Sequence, residues 1–303
     1  MTTQDATYFI LNKVRTIYPE GEASQITDWV MENLTGSKKA ERMVYKNTAI
    51  TNTEELLLQQ ITERLMHHEP VQYVLNEAWF CGLKFYVDKN VLIPRPDTEE
   101  LVEWMIGTAG NREAGGGRQD TRVGSSGQNI TILDIGTGSG CIAVSVKRKL
   151  NNAEVWSCDI SEEALLVAKK NAETLGIGVN FLLLDFLNKE KRNSLPSFDI
   201  IISNPPYVPL KDKSQMHPNV LNYEPHTALF VPDEDALIFY EAIADFGKEH
   251  LKLDGIIYAE THEDLSDAVS QLFKTYGYLV EGKKDMQGKE RMIKAGFRLA
   301  TND

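Results

Sequence analysis

The chain has 303 residues, 42% hydrophobic and 25% charged, ordinary values for a soluble globular protein with room for two domains. A formal net charge of −12 argues against gripping a long nucleic-acid backbone by bulk electrostatics, which needs clustered Lys and Arg, and suits a basic partner better. The longest apolar runs are strand-sized and residues 1–12 lack a basic stretch followed by an apolar one, so the expectation is a cytoplasmic protein with neither a membrane span nor a secretory signal.

From Asp5 to about Glu69 apolar residues recur at three- and four-residue spacing: Ile10, Leu11 and Val14, then Ile26, Trp29, Val30, Met31 and Leu34, then Leu56, Leu57, Ile61 and Leu65. A small helical domain over residues 1–70 is predicted, closed by Pro70, with His67 and His68 as solvated helix-end residues. Residues 71–91 turn to alternation (Phe80, Leu83, Phe85, Val87) with Gly82 and Asp88 near turns, which predicts a β-hairpin linker. Residues 92–303 form the second domain. Its first helix cannot hold Pro94 or Pro96 in its interior, and Asp97 or Thr98 is suited to cap it. Residues 107–128, rich in Gly and Ser with almost nothing to bury, read as a flexible surface loop.

Strands and helices then alternate: strand 130–135, helix 142–150, strand 154–158, helix 162–175, strand 180–184 and strand 198–203. This predicts an α/β fold, a mostly parallel sheet with helices on both faces. A helix over 236–250, a strand over 255–260 and a helix over 265–276 follow. Two strand-like runs, 278–281 and 291–295, are joined by a short loop that favours an antiparallel pair, which would give the sheet a reversed strand at its far edge. Cys81, Cys141 and Cys158 have no metal-ligand spacing and read as reduced packing residues, and no His/Cys cluster supports a metal.

After the first central strand comes Asp134-Ile135-Gly136-Thr137-Gly138-Ser139-Gly140. Alternating glycines let the chain turn sharply and let a ligand approach backbone N–H groups at the start of the next helix. A dinucleotide fingerprint wants its third glycine three positions after the second, where Cys141 stands, so a nicotinamide-dependent oxidoreductase is disfavoured. Asp159 ends the second strand, where a carboxylate can accept both hydrogen bonds of a ribose diol. Asp185 closes the third strand, so three acids stand at successive strand ends.

The fourth of these strands closes on Ser203-Asn204-Pro205-Pro206-Tyr207. A planar amide or exocyclic amino nitrogen is a poor nucleophile because its lone pair is delocalised, and acceptors on both N–H groups favour the localised form. The Asn204 side-chain oxygen and the Pro205 carbonyl are two such acceptors, the prolines stiffen the turn, and Tyr207 offers a flat face for stacking. The tetrad points to methyl transfer to a planar nitrogen, with no metal and no strong general base required.

The glycine loop led by an acidic residue resembles the cofactor site of class I S-adenosylmethionine-dependent methyltransferases, a Rossmann-like fold with a seven-stranded sheet. That resemblance places Asp134 toward the methionine end of the cofactor over Gly136, Thr137, Gly138, Ser139 and Gly140, and Asp185 and Phe186 beside the adenine, with Asn204 shared between cofactor and substrate. Three stretches are more specific. Residues 70–74 (Pro-Val-Gln-Tyr-Val), 80–85 (Phe-Cys-Gly-Leu-Lys-Phe) and 91–99 (Val-Leu-Ile-Pro-Arg-Pro-Asp-Thr-Glu), with Asn204 to Tyr207, Glu224-Pro225, Ala228-Leu229, Glu260 and Asp285 to Arg291, are similar to the HemK/PrmC family of peptide chain release factor N5-glutamine methyltransferases.

The resemblance covers nearly the whole chain. It implies methylation of the side-chain amide of the glutamine in the Gly-Gly-Gln loop of class 1 release factors, with the helical domain recognising the substrate. Release factors should be basic around that loop, so an acidic enzyme is complementary in sign. The chain departs from the family where Asp97 replaces the usual Glu, where Phe230 to Asp235 replaces a Gly-rich step, and in the length of the 107–128 loop. Arg95 either contacts substrate or pairs with Glu99 or Glu100. The same tetrad also serves adenine-amino methyltransferases of DNA or RNA, which must extrude a base and hold its phosphates, and this chain has no basic stripe for that. A non-catalytic adenosyl-binding protein would have no use for two acceptors aimed at a nitrogen.

Overall fold

The computed structural model describes residues 1–113 and 129–298, which form two compact units. The first comprises Met1–Glu77 together with His217–Tyr223. Its helices are α1 (Thr3–Val14), α2 (Glu20–Thr35), α3 (Lys39–Val44), α4 (Asn52–Met66) and α5 (Val71–Leu75). Thr2 and Asp5 form a reciprocal capping box on α1, Thr51 and Glu54 another on α4, and Gly36 ends α2 at φ 67°. Ile10, Val14, Val30, Met31, Leu58 and Leu65 meet in its core without solvent exposure. Each such side chain contributes roughly 1.5–3 kcal/mol of burial free energy.

The linker expected over residues 71–91 is shorter than its alternation suggested. Residues 71–75 are helical: Pro70 precedes the turn, Val71, Tyr73 and Val74 are buried, and Asn76 ends it at φ 53°. The hairpin itself is β1 (Ala78–Phe80) and β2 (Leu83–Phe85), turning through Cys81 and Gly82 at φ 50° and 73°. It belongs to the second unit, where Phe80 and Phe85 pack edge to face in the core.

Helix α6 (Pro96–Glu113) starts two or three positions earlier than a cap at Asp97 or Thr98 would place it. Proline is pre-organised for the first helical position, where its missing N–H costs nothing, so Thr98 lies inside the first turn with its hydroxyl free for other work. The helix also runs through residues 107–113, which the Gly and Ser content had assigned to the loop; the rest of that loop, residues 114–128, lies outside the described residues.

The α/β unit continues as β3 (Thr131–Ile135), α7 (Cys141–Lys149), β4 (Glu154–Asp159), α8 (Glu162–Leu175), β5 (Asn180–Leu183), α9 (Lys189–Arg192), β6 (Phe198–Ser203), β7 (Val208–Pro209), α10 (Pro218–Tyr223, part of the first unit), β8 (Phe230–Val231), α11 (Ile238–His250), β9 (Leu251–Glu260), α12 (Ser266–Thr275), β10 (Leu279–Lys284) and β11 (Glu290–Gly296). The seven-stranded sheet has the order β10-β11-β9-β6-β3-β4-β5, parallel except for β11, which runs antiparallel between β9 and the edge strand β10. Period-two alternation divides its side chains between two cores. Ile132, Ile200, Ile202, Ile256 and Tyr258 face α6 and α7, while Leu133, Ile201, Ile257 and Ala259 face α11 and α12. The chain passes from β3 outward to β5 and then crosses to β6 on the other side of β3. The strand order therefore reverses between β3 and β6, and a crevice is expected beyond their carboxyl ends.

Candidate active site

Ile135 at the end of β3 is in register with Ser203 at the end of β6, and the Ser203 hydroxyl donates to the Ile135 carbonyl at 2.8 Å. The glycine loop and the tetrad thus leave the sheet side by side. A Cβ placed on Gly136 would lie 4.0 Å from the Asn204 carbonyl oxygen.

Gly136, Gly138 and Gly140 all adopt positive φ, at 81°, 51° and 80°. The amides of Gly136 and Thr137 both donate to the Cys158 carbonyl, at 2.9 and 3.0 Å, and Gly140 closes the turn on the Thr137 carbonyl at 2.8 Å. Gly140 has a second reason to lack a side chain, since a Cβ there would lie 3.1 Å from that of Ala168 on α8. Asn171, also on α8, holds the loop from behind. Its Nδ2 donates to the carbonyls of Ser139 and Tyr86, and its Oδ1 accepts from the Tyr86 amide at 2.7 Å.

Asp134 is fully buried beneath this loop. Its Oδ2 accepts from the Ser157 hydroxyl at 2.8 Å, while Oδ1 has no partner of ordinary hydrogen-bond geometry. Burial pushes its carboxyl up to about 7, moderated by Ser157 and Thr137 and reinforced by the charge of Asp159. Asp159 accepts from the amides of Gly138 and Ser161, both at 2.9 Å, and its pKa is also raised by burial. It therefore braces the glycine loop, a task not foreseen beside its expected ribose contact. Asp185 accepts from the Leu187 amide at 3.0 Å, and Phe186 is turned into the core, 5% exposed and edge-on to Phe246 at 5.3 Å. An exposed apolar side chain beside these acids is Ile160, 61% accessible immediately after Asp159.

The tetrad is anchored from below. Asn204 Nδ2 lies 2.9 Å from Thr98 Oγ1, which lies 2.6 Å from Glu260 Oε2; the Tyr207 hydroxyl reaches Glu260 Oε1 at 3.4 Å. Pro205 is buried, and Asn204, Pro206 and Tyr207 are half-buried. Burial raises the Tyr207 phenol well above its ordinary range and the Glu260 carboxyl to about 7. Arg95 does not pair with Glu99 or Glu100. Its Nη2 contacts both carboxylate oxygens of the buried Glu224, at 2.7 and 2.8 Å, while Glu99 accepts the Cys81 amide and Glu100 the Met286 amide. Burial raises Glu224, and the adjacent guanidinium offsets part of that cost.

The donor set fits a cationic, adenosine-bearing cofactor. Asp134 Oδ1 and Ser139 Oγ are buried polar atoms without hydrogen-bond partners, set at a loop whose three positive-φ glycines leave its backbone open. Among the described residues no group of three or more His, Cys, Asp or Glu could hold a metal ion, and no helix is long and apolar enough to cross a membrane. The three cysteines are free.

Parallel strands, a glycine loop backed by acids and a neighbouring Asn-Pro-Pro-Tyr turn define a class I methyltransferase, a class that uses S-adenosylmethionine. A family model described as a methyltransferase domain matches residues 126–296, and one described as the PrmC N-terminal domain matches residues 15–75. The chain is 39% identical to the release factor glutamine methyltransferase of Flavobacterium psychrophilum, covering 93% of this chain and 95% of that protein. It is 37% identical to the protein of the same name from Bacteroides thetaiotaomicron, covering 95% and 98%. The chain belongs to the release factor glutamine methyltransferase family. Among solved structures, the catalytic domain of hMettl16 in complex with the MAT2A 3′UTR hairpin 6 matches with a TM-score of 0.51 at 15% identity, covering 83% of this chain and 84% of that one, a likeness of fold alone.

Proposed function

We propose that the chain methylates the side-chain amide nitrogen, N5, of the glutamine in the Gly-Gly-Gln motif of class 1 peptide chain release factors, working in the cytoplasm. The observation that carries this reading is the adjacency of the tetrad to the glycine loop, with the Asn204 carbonyl 4.0 Å from where a Gly136 side chain would begin. An acceptor pair for a planar NH2 and a cofactor loop lie next to each other.

When bound, S-adenosylmethionine supplies an already activated methyl group. Asp134 and residues 136–140 would hold its methionine portion and Asp159 its ribose. Asp185 would take the adenine amino group, and the exposed Ile160, in place of the core-facing Phe186, would supply the apolar wall for its ring. Asn204 Oδ1 and the Pro205 carbonyl each accept one N–H of the glutamine carboxamide, so its nitrogen is held by geometry rather than activated by a strong base. Tyr207 stays a neutral phenol and packs on the amide plane. The surplus proton leaves to water after transfer. Arg95, fixed on Glu224 and still partly exposed, borders the peptide, and the helical unit recognises the remainder of the release factor.

Incubation of the enzyme with S-adenosylmethionine and either a class 1 release factor or unmethylated DNA separates the protein substrate from the nucleic-acid one. The expected outcome is one added CH2, located by mass spectrometry on the loop glutamine. Methyl incorporation into DNA adenine with an unmodified release factor overturns the reading.

A further inference from the structure

The Asn204 carboxamide can function only one way round. Oδ1 toward the substrate accepts an N–H; Nδ2 there would meet the substrate NH2 donor to donor. What decides between the two orientations lies behind the side chain, where Nδ2 faces Thr98 Oγ1 at 2.9 Å and that hydroxyl faces Glu260 Oε2 at 2.6 Å. A threonine hydroxyl has a single proton. An ionised carboxylate only accepts, so Thr98 must spend its proton on Glu260 and can offer Asn204 nothing but a lone pair. The NH2 end of Asn204 is drawn to Thr98, and Oδ1 is turned to the opposite side.

Accordingly, and resting on the glutamine-amide reading above, we propose that Glu260 is a positioning residue which, relayed through Thr98, locks the acceptor end of Asn204 toward the substrate nitrogen and makes the site selective for a primary carboxamide or amino group. Glu260 is suited to the part. It is 1% exposed at the end of β9, its backbone carbonyl accepts from the Tyr240 hydroxyl at 2.9 Å, and its second oxygen takes the Tyr207 hydroxyl at 3.4 Å. One carboxylate thereby holds both ends of the tetrad, although it is the last residue of β9, Thr98 sits on α6, and Asn204 and Tyr207 follow β6.

Protonating Glu260 reverses the logic. A carboxylic acid donates to Thr98, the Thr98 proton is freed for Asn204, and the flipped amide presents NH2 to the substrate. The groups that set where this happens are Asp97 on α6, which raises the Glu260 pKa, Arg291 on β11, which lowers it, the hydroxyls of Thr98 and Tyr207, which also lower it, and burial, which dominates and brings it to about 7. Arg291 is itself shared with Asp97 at 3.8 Å and Asp285 at 3.7 Å.

The test compares Thr98→Val, which keeps shape and loses the hydroxyl, with Thr98→Ser, which keeps the hydroxyl, and with Glu260→Gln. Each is assayed with release factor at saturating cofactor from pH 5.5 to 8.5. Loss of one preorganised contact predicts that kcat falls about 10²-fold for Thr98→Val. Cofactor affinity, measured by equilibrium binding, should stay within about twofold, and Thr98→Ser should recover most of the lost rate. Wild-type kcat should fall on acidification through about pH 7, a limb missing in Glu260→Gln, whose side chain does not titrate. Undiminished kcat in Thr98→Val, a loss in Thr98→Ser as deep as in Thr98→Val, or a Glu260→Gln profile that keeps the acid limb overturns the relay. A wild-type enzyme that leaves the release factor glutamine unmodified overturns instead the substrate reading on which it rests.

Discussion

At the scale of single residues, Asn204 carries the heaviest consequence. Removing its carboxamide deletes one of the two acceptors proposed for the substrate nitrogen while leaving the Pro205 carbonyl in place, so Asn204→Ala should lower kcat by about 10²-fold or more at saturating cofactor. Near-normal turnover, read by methyl incorporation into release factor, would remove Asn204 from the mechanism. Its place beside the glycine loop was legible in the sequence because the motif is local: four consecutive residues contain both proposed acceptors and the rigid turn. Its supports were not. Thr98 meets Glu260 across 162 positions, Arg95 meets Glu224 across 129, and Tyr86 meets Asn171 across 85, and no periodicity or short motif links partners so far apart. Arg95 shows the cost of this blindness, since neighbouring acids at Glu99 and Glu100 looked like natural partners while the actual one waits beyond the tetrad. Phe186 shows another: an apolar residue after a strand-end acid gives no sign of whether it faces ligand or core.

Among elements, the junction of the glycine loop with α7 and α8 is the least forgiving. Gly140 is at φ 80° and only 3.1 and 3.2 Å separate its would-be Cβ from Ala168 Cβ and Cα. An alanine there combines a left-handed backbone cost of roughly 1–2 kcal/mol with overpacking of about 1–3 kcal/mol. Gly140→Ala should thus lower unfolding stability by roughly 3 kcal/mol, measured by urea denaturation. Adding Ala168→Gly should restore part of the overpacking loss and none of the backbone loss; no recovery at all would show that the Ala168 contact is immaterial. The long α/β elements were readable because amphipathic helices and buried strands repeat one pattern for many residues, as in α8 and β6, whose bounds match those expected from spacing. Short elements carry too few repeats. The five residues of α5 read equally well as the start of a strand, and α3, α9, α10, β7 and β8 left no signal. Residues 107–113 misled in the opposite sense, because glycine content outweighed the helix already running from Pro96.

For the whole molecule, the interior acids set the response to pH. Asp134 and Glu260, both buried, have carboxyl pKa values raised to about 7 from ordinary values near 4, and Asp159 and Glu224 shift upward as well, in every case through burial first. A carboxyl whose pKa is higher in the folded state binds its proton more tightly there than in the unfolded chain. Its favourable contribution is therefore complete below pH 4 and is lost as pH rises through about 7. Exposed acids act oppositely at the acid end: Asp5, Glu54 and Glu263 are lowered by hydrogen bonds, and their contribution vanishes only as pH falls through those depressed values. Between pH 5.5 and 8 the buried pair should dominate, costing on the order of 2 kcal/mol for each of Asp134 and Glu260. The urea midpoint of the wild-type protein should consequently drop over this interval, in which carboxylates with lowered pKa values contribute no slope. Asp134→Asn with Glu260→Gln, neutral at every pH, should flatten that slope; a wild-type midpoint that rises with pH, or a double variant as steep as the wild type, would show that these two carboxylates are not buried at the expense of stability.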